Sequence, residues 1–162
     1  MTAPWTLQVE KLADLLKHDG HRHFKAHWQE VAKFKDILKL SPYVEKYAYI
    51  EKDGRLHICT LRQDGNICGY SLHFIVRGHP HYSQLTFAED DMHYLMPHLR
   101  GTGAHFALRS FALKTLKERG VQFVTARTKS GHGHDTVLRN IGFEPLDQVY
   151  GMDLTKWEPP EE

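Results

Sequence analysis

A glycine-rich turn that leads into an amphipathic helix constrains this chain more than any other feature. Arg100-Gly101-Thr102-Gly103 follows a strand-like segment that Pro97 closes. A helix N-terminus leaves backbone N–H groups without partners, and glycines before it let an anion approach the main chain. The turn therefore predicts a phosphate or pyrophosphate site, to which Arg100 would add a fixed charge. A tight strand-to-helix connection with no ligand fits the same residues equally well.

The helix after this turn carries a single apolar stripe at helical spacing. The stripe consists of Ala104, Leu108, Phe111, Ala112, Thr115 and Leu116. Gly120 predicts the C-terminal end of the helix. The turn lacks the Gly-x-x-x-x-Gly-Lys pattern of a nucleotide P-loop and the full Gly-x-Gly-x-x-Gly pattern of a dinucleotide fold. The sequence therefore does not indicate either of those two classes of nucleotide site.

Upstream of the turn, the pattern of apolar residues changes from helical to strand-like spacing. Apolar spacing over the first forty residues, which include Leu7 and Leu12, predicts helices, and Gly20 predicts the end of the first one. A further short helix is expected from Tyr43 to Glu51. These segments together predict a helical N-terminal part, residues 1–52.

Strand signals follow from Leu56 onward. Asp64-Gly65, which lies between two apolar runs, predicts a tight hairpin turn. In the next strand, Leu85 to Met96, the apolar positions change parity across Glu89-Asp90-Asp91. One extra residue there, a β-bulge, would restore a single buried face.

The segments after the long helix predict a short buried strand, a short helix and one or two final strands. Their expected bounds are Val121–Arg127, Asp135–Asn140 and Phe143–Leu154. Helices, an antiparallel meander and then a β-α-β-α-β order are typical of a mixed α/β fold, in which helices flank a mixed sheet. We expect one domain over residues 1–156 and a loose C-terminal tail over residues 157–162.

Composition argues against several classes of protein. The net charge of +1, without a basic helix suited to reading bases, argues against a nucleic-acid partner. No apolar run has the length of a membrane span, and the N-terminus does not resemble a signal peptide. Cys59 and Cys68 are then expected to be reduced thiols of a cytoplasmic protein.

Histidines are unusually frequent, 13 in all. His23 and His27 have the i, i+4 spacing that can bind a metal on a helix, and His132 and His134 form a second pair. Neither pair belongs to a His-Glu-x-x-His pattern or lies near a cysteine cluster. We therefore expect no metal site.

The order of elements and two short motifs resemble the GNAT superfamily of N-acetyltransferases. The motifs are Arg100-Gly101-Thr102-Gly103-Ala104-His105 and Asn140-Ile141-Gly142-Phe143-Glu144. The resemblance is strongest from Leu56 to Leu154. His27-Trp28, Gly69-Tyr70 and His81-Tyr82 make the N-terminal half similar to a GNAT subgroup that is common in phages and prophages.

The resemblance implies a GNAT-like central sheet, mixed and mostly antiparallel, whose central strands splay apart around acetyl-CoA as co-substrate. The pyrophosphate would lie on the N–H groups of the turn, and the pantetheine arm would pair with the strand before it. The implied cofactor-binding residues are Met92, Tyr94, Leu95, Met96, Arg100, Gly101, Thr102, Gly103, Ala104 and His105. His105 departs from the family, which usually has a small residue at this position. An amine would attack the thioester directly, and an N–H group of the bulge would steady the oxyanion.

The implied reaction needs a base for the amine and an acid for the leaving thiolate. Glu89, Asp90 and Asp91 lie at the strand bend where the family often places an acid, and His93 is an alternative base. Leu138 stands where the family often has a tyrosine that protonates the thiolate. Tyr150 is the first candidate for a substitute acid; the others are Ser130, His132 and His134.

Two functions of different classes remain open. The first is an acetyltransferase that acts in the cytoplasm of a bacterial or phage-infected host cell, on a primary amine of a small molecule or protein. The alternative is a GNAT-fold binding or structural protein, phage-encoded, that has lost catalysis, and Leu138 and His105 favour it. Because GNAT proteins often dimerise, the resemblance also allows a homodimer.

Overall fold

One five-stranded sheet organises the computed structural model, which describes residues 5–18, 20–129 and 134–159. The strands lie in chain order and are β1 Thr6–Glu10, β2 Leu56–Gln63, β3 Asn66–His79, β4 Tyr82–Leu95 and β5 Phe123–Thr125. Strands β1 to β4 are antiparallel neighbours, and β5 runs parallel to β4. The helices are α1 Leu12–Lys17, α2 Gly20–Val31, α3 Val44–Lys52, α4 Ala104–Glu118 and α5 His134–Ile141, and a 3-10 turn spans Pro97–Leu99. The expected mixed sheet flanked by helices is confirmed.

The N-terminal segment corrects the expectation that the first forty residues are helical. Thr6–Glu10 is the edge strand β1, paired with β2. The Glu10 carboxylate accepts hydrogen bonds of 2.8 Å from both Arg62 and Thr60 of β2. A buried ion pair with a second hydrogen bond holds the segment extended. These partners lie some fifty residues away in the chain, so local spacing could not reveal them.

Gly20 begins α2 and does not end the preceding helix, which stops at Lys17. A side chain at Gly20 would place its Cβ 2.5 Å from the carbonyl oxygen of Leu15. Glycine is therefore required because α1 and α2 meet closely here. The interpretation of Gly20 as the end of the first helix is wrong.

The meander follows the sequence prediction. Asp64 and Gly65 both adopt positive φ, 48° and 80°, as a two-residue hairpin turn requires. Between β3 and β4 the register shifts, because Leu72 pairs with Met92 while His73 pairs with Asp90. Asp91 is the extra residue, and the predicted bulge is confirmed.

Helices cover both faces of the sheet. On one face, α1 and α2 pack Leu12, Leu15 and Phe24 against Tyr70 and Leu72 of β3. On the other face, α4 packs Leu108 and Ala112 against β2 and β4. Glycine is needed at Gly69, since a Cβ there would lie 2.7 Å from Leu95 Cδ1.

The final strands expected over Phe143–Leu154 are absent from residues 143–159, which the structure describes without any strand. Strand β5 has three residues instead of the seven expected from Val121 to Arg127, so it offers a short edge for a further strand to join. The apolar side chains of the segment accordingly remain exposed, namely Leu146, Val149, Tyr150, Met152 and Leu154. Lys156 ties the segment to the loop after α2 through a 2.7 Å ion pair with Asp36.

Candidate functional site

A gap opens between β4 and β5. The two strands pair only from Phe87 to Glu89, opposite Phe123 to Thr125. Strand β5 then ends, while β4 continues to Leu95. Over Asp90–Leu95, β4 has no neighbour on this side within the described ranges. The expected splay of the central strands is confirmed, and it exposes main-chain hydrogen-bonding groups along one edge of β4.

The glycine turn lies at the end of this open edge. Gly101 and Gly103 have φ of 79° and 84°, the left-handed conformation that favours glycine. Helix α4 begins directly afterwards at Ala104. A Cβ on either glycine would meet open space, so conformation and not crowding selects glycine. The first N–H groups of α4 lack intrahelical acceptors, so they are available to an anion at the turn.

Arg100 is held in place by three contacts. Its guanidinium forms two hydrogen bonds of 2.7 Å with the Glu30 carboxylate in α2. Its Nε donates to the Leu95 carbonyl at 3.0 Å, and the guanidinium lies over the Tyr94 ring. The positive charge expected at the turn is therefore present, and it is already paired with a carboxylate.

The three consecutive acids occupy different environments. Asp90 faces α4, where its carboxylate accepts a 2.7 Å hydrogen bond from Arg109, and both side chains are about 95% buried. Asp91, the bulged residue, accepts a 2.7 Å hydrogen bond from the Tyr47 hydroxyl of α3. Glu89 is exposed and pairs through its backbone with Phe74. Asp90 and Asp91, as neighbours in a strand, thus lie on opposite sides of the sheet.

The surroundings of Asp91 raise the pKa of its carboxyl above the ordinary value. Removal of solvent by the surrounding protein is the main cause, and the neighbouring Asp90 adds to it. The hydrogen bond from Tyr47 and the charge of Arg127 oppose this effect on the pKa. A carboxylate with a raised pKa is a stronger base than a fully solvated one.

A cavity of about 380 Å³ lies between the sheet and the N-terminal helices, and two of its lining residues are neighbours of Asp91. Met92 follows Asp91 in β4, and Tyr47 donates the hydrogen bond to it. Leu72 of β3 lies beside Met92 in the cavity wall. The site therefore joins three features at one end of the sheet: an open strand edge, a glycine turn and a cavity with an adjacent carboxylate.

Three imidazoles pack together beside the turn. His105, in the first turn of α4, stacks on His93 of β4 with 4.6 Å between ring centroids, and the His134 ring contacts it edge-on at 4.4 Å. Burial is the main cause that lowers the pKa of His105 to about 4 and holds that of His93 well below its ordinary value. His93 is 7% exposed, and neither of its ring nitrogens has a hydrogen-bond partner. His105, the bulky residue that follows the glycine turn, is thus a neutral ring packed against His93 and His134.

The remaining candidates lie apart from this cluster. Leu138, at the position where GNAT proteins often have a tyrosine, is 8% exposed and part of the core. Tyr150 is 85% exposed, and its hydroxyl donates to Gln148 in a segment without strands. Its expected place on a final strand is wrong, and its catalytic role stays a prediction. Ser130 and His132 lie outside the described residues.

The histidines suggested as a metal pair have other contacts. His27 Nδ1 lies 2.9 Å from the Tyr70 hydroxyl, and burial lowers its pKa to about 4. Within the ranges that the structure describes, no three His, Cys, Asp or Glu side chains are grouped so that they could hold a metal ion. In the same ranges, no helix is long and apolar enough to cross a membrane.

Sequence reasoning missed three partners in the site: Tyr47, Glu30 and Arg109. Arg109 had a usable signal, because a charged residue lies directly beside the apolar stripe of α4 and an acid in a half-buried strand needs a buried cation. Tyr47 and Glu30 had none, because they lie 44 and 70 residues from the groups that they contact.

The fold is similar to that of three solved structures described as acetyltransferases. An aminoglycoside acetyltransferase from an uncultured soil metagenomic sample, in complex with sisomicin, has a TM-score of 0.71 at 14% identity, with 93% of this chain and 95% of that chain covered. A predicted acetyltransferase from Clostridium acetobutylicum, with acetyl-CoA, has a TM-score of 0.71 at 14% identity, with 94% and 98% covered. A GCN5-related N-acetyltransferase from Ralstonia eutropha JMP134 has a TM-score of 0.71 at 15% identity, with 92% and 98% covered. This chain therefore has the GNAT fold.

The sequence itself matches no protein-family model and no curated protein. The narrower resemblance to phage and prophage proteins finds no support among these structures.

Proposed function

We propose that this chain, which has the GNAT fold, transfers an acetyl group from acetyl-CoA to a primary amine. One observation carries the proposal: the unpaired edge of β4 over Asp90–Leu95 ends at a glycine turn that opens a helix of 15 residues. A strand edge suits the amides of a pantetheine arm, and a helix N-terminus suits a diphosphate. The two features are adjacent and in the order that acetyl-CoA would need.

The residues of the turn and the strand would share the binding of acetyl-CoA, which supplies the acetyl thioester. Main-chain N–H groups from Arg100 to His105 would bind the diphosphate, with Gly101 and Gly103 providing the approach. The edge of β4 from Met92 through Tyr94 and Leu95 to Met96 would pair with the pantetheine amides. The Leu95 carbonyl accepts from Arg100, so we expect this arginine to change partners when the arm binds.

Asp91 is the base that the geometry favours among the three acids. A protonated amine must lose a proton before it attacks, and Asp91 is hydrogen-bonded to Tyr47, which lines the cavity between the sheet and the N-terminal helices. Asp90 is neutralised by Arg109 on the opposite side, which suits a positioning role for β4. Glu89 remains a weaker candidate base, because its backbone is paired within the ladder and it is two residues from the bulge that contacts Tyr47.

Neither Leu138 nor Tyr150 supplies a proton to the leaving thiolate in the geometry described. Leu138 is apolar and buried, and Tyr150 would have to move from its exposed position to act as the acid. This arrangement favours a second candidate function, a GNAT-fold binding protein without catalysis. We propose a cytoplasmic location for either function, and a homodimer stays a prediction that a molar-mass measurement tests.

Two measurements test the proposal. A ligand at about 100 times its dissociation constant stabilises a protein by about 2.7 kcal/mol, so acetyl-CoA should raise the melting temperature measurably. Thiol release on a panel of amines should then exceed hydrolysis without amine. Stabilisation by acetyl-CoA without thiol release would favour the binding protein, and the absence of stabilisation would contradict both functions.

A further inference from the structure

The cavity beside Asp91 has an unusual combination of walls. Apolar side chains form most of it: Leu12, Leu16, Phe24, Trp28, Ala32, Leu38, Leu40, Pro42, Val44, Leu72 and Met92. Among the described residues, the charged ones that line it are Lys33, Lys39 and Lys129, and no acid does. Asp91 is hydrogen-bonded to Tyr47, which belongs to the lining.

We infer that the acceptor is an apolar primary amine that also carries an anionic group, such as a hydrophobic amino acid. This inference rests on the proposed function and names the substrate class of the same site. The cavity volume of about 380 Å³ is at the lower end of the range for small-molecule sites, about 300–1,000 Å³. A compact ligand with one ring or a short branched chain fits that volume.

The apolar walls determine the body of the ligand. Hydroxyl groups placed against leucine, phenylalanine and proline side chains would lose their hydrogen bonds to water without replacement, which is costly. The uncharged polar side-chain groups of the described lining are those of Ser41, Tyr47 and Trp28; the Tyr47 hydroxyl already donates to Asp91 and the Trp28 indole to the Leu38 carbonyl. A polyhydroxylated amine such as sisomicin, which the aminoglycoside acetyltransferase binds, is therefore a poor match for this cavity.

The lysines determine the second group of the ligand. A cationic amine alone would enter a cavity with three ammonium groups in its lining, which repel it. A carboxylate or phosphate on the ligand reverses this effect, since charge-assisted hydrogen bonds to ammonium groups are among the stronger ones. Lys39 and Lys129 are exposed and form no ion pair with any acid of the described segments. They can therefore bind the anion while the amine lies toward Asp91.

The loop after α2 forms part of the cavity wall, and Trp28 beside it provides a reporter. The Trp28 indole N–H donates to the Leu38 carbonyl at 3.0 Å, and the Lys35 ammonium lies 5.6 Å from the ring centroid. Trp28 thus fixes the loop after α2 and lines the cavity at the same time. Its fluorescence should respond when a ligand enters.

The test measures ligand binding without acetyl-CoA, so that it does not depend on catalysis. In a variant with Trp5→Phe and Trp157→Phe, Trp28 is the single indole. Homophenylalanine, 3-phenylpropylamine and 4-phenylbutanoate share one skeleton and differ only in the amine and carboxylate. We expect homophenylalanine to bind about tenfold more tightly than either, since each lacks one charge-assisted contact. Glucosamine, a polar amine, should not bind, and calorimetry on the unsubstituted protein checks the same order.

Matched lysine variants identify the anion site. Lys39→Ala/Lys129→Ala should weaken homophenylalanine binding about tenfold and leave 3-phenylpropylamine no weaker. Lys25→Ala/Lys46→Ala, which removes two exposed lysines outside the cavity, should change neither. The inference is overturned if homophenylalanine fails to bind, if 3-phenylpropylamine equals it, if glucosamine binds better, or if the Lys39/Lys129 variant binds normally. Acetyl-CoA stabilisation and thiol release on other amines would still stand in those cases, which separates this inference from the proposed function.

Discussion

Arg109 in α4 donates a 2.7 Å hydrogen bond to Asp90 in β4, and the two side chains are only 5% and 4% exposed. His73 lies on the other side of the same carboxylate, with its Nε2 3.9 Å from Asp90 Oδ1. Burial is the main cause that lowers the pKa of His73 to about 4, so this ring is neutral and Arg109 supplies the positive charge. The pair fixes β4 to α4 beside the point where β4 leaves β5.

Removing the arginine should destabilise the protein strongly. Arg109→Met leaves Asp90 buried without a cation, and loss of one partner of a buried ion pair typically costs about 3–5 kcal/mol. Urea unfolding followed by circular dichroism measures the change in the free energy of unfolding. The double variant Arg109→Met/Asp90→Asn removes both charges and should recover most of the loss. An Arg109→Met protein as stable as the parent would show that the pair has no structural role.

The glycine turn provides a matched test of acetyl-CoA binding. Gly103 and Gly120 lie at opposite ends of α4 with φ of 84° and 80°, and a Cβ on either would contact nothing. Valine at either position should cost about 1–2 kcal/mol of stability through backbone strain. Only Gly103→Val changes the proposed diphosphate site, so it should weaken acetyl-CoA binding at least tenfold in calorimetry. Equal affinities of the two variants would place the diphosphate elsewhere.

The role of Asp91 is tested by turnover and its pH profile. Asp91→Asn should lower turnover by about 10²-fold, the usual contribution of a general base, with acetyl-CoA binding unchanged. Tyr47→Phe removes a hydrogen bond that lowers the pKa of Asp91. The pKa should then rise, and the limb of the pH profile that reports ionisation of the base should move to higher pH.

A comparison variant separates Asp91 from its neighbour. Glu89→Gln changes an exposed acid two positions away and should keep turnover within a few-fold of the parent. Loss of turnover in Glu89→Gln but not in Asp91→Asn would transfer the role of base to Glu89.

Buried histidines should make the protein sensitive to mild acid. Burial is the main cause that lowers the pKa of His57, His73 and His105 from 6.5 to about 4. Between these two values the unfolded chain binds protons that the folded chain does not, so stability is complete above pH 6.5 and falls as the pH decreases to about 4. One such group gives a slope of about 1.4 kcal/mol per pH unit, and several should give more.

Unfolding in urea at a series of pH values measures this slope. His57→Gln should reduce it, because the ring is 2% exposed, and the exposed His81→Gln should leave it unchanged. A free energy of unfolding that stays constant from pH 6.5 to 5 would contradict the expected protonation.

The features that the sequence predicted correctly depend on near neighbours in the chain. Gly101 and Gly103 occupy positions that need positive φ. The apolar positions of β4 change parity across Asp91, and the sequence of this one strand shows that change. The edge strand Thr6–Glu10 was missed because its extended form depends on Arg62 and Thr60. Phe143–Leu154 has a strand-like composition, yet the short β5 gives it little edge to join.

The features of the candidate site likewise fall into those that local sequence predicts and those that depend on distant residues. The sequence predicted an anion-binding turn and a group of acids, but it could not distinguish Asp90 from Asp91, because only the register with β3 decides which side each one faces. The packing of His105 on His93 and His134 likewise arises from three separate elements. The apolar cavity combines α1, α2, α3 and two strands, and no single segment indicates it.

The bulge at Asp91 determines which face of the sheet each later residue of β4 occupies. If Asp91 were paired regularly in the ladder instead of bulged, Met92 and Tyr94 would lie toward α4, and His93 and Leu95 would lie toward the cavity. The bulge therefore keeps Met92 and Tyr94 in the core with α1 and α2, while the carboxylates of Asp90 and Asp91 lie on opposite faces, one paired with Arg109 and the other hydrogen-bonded to Tyr47.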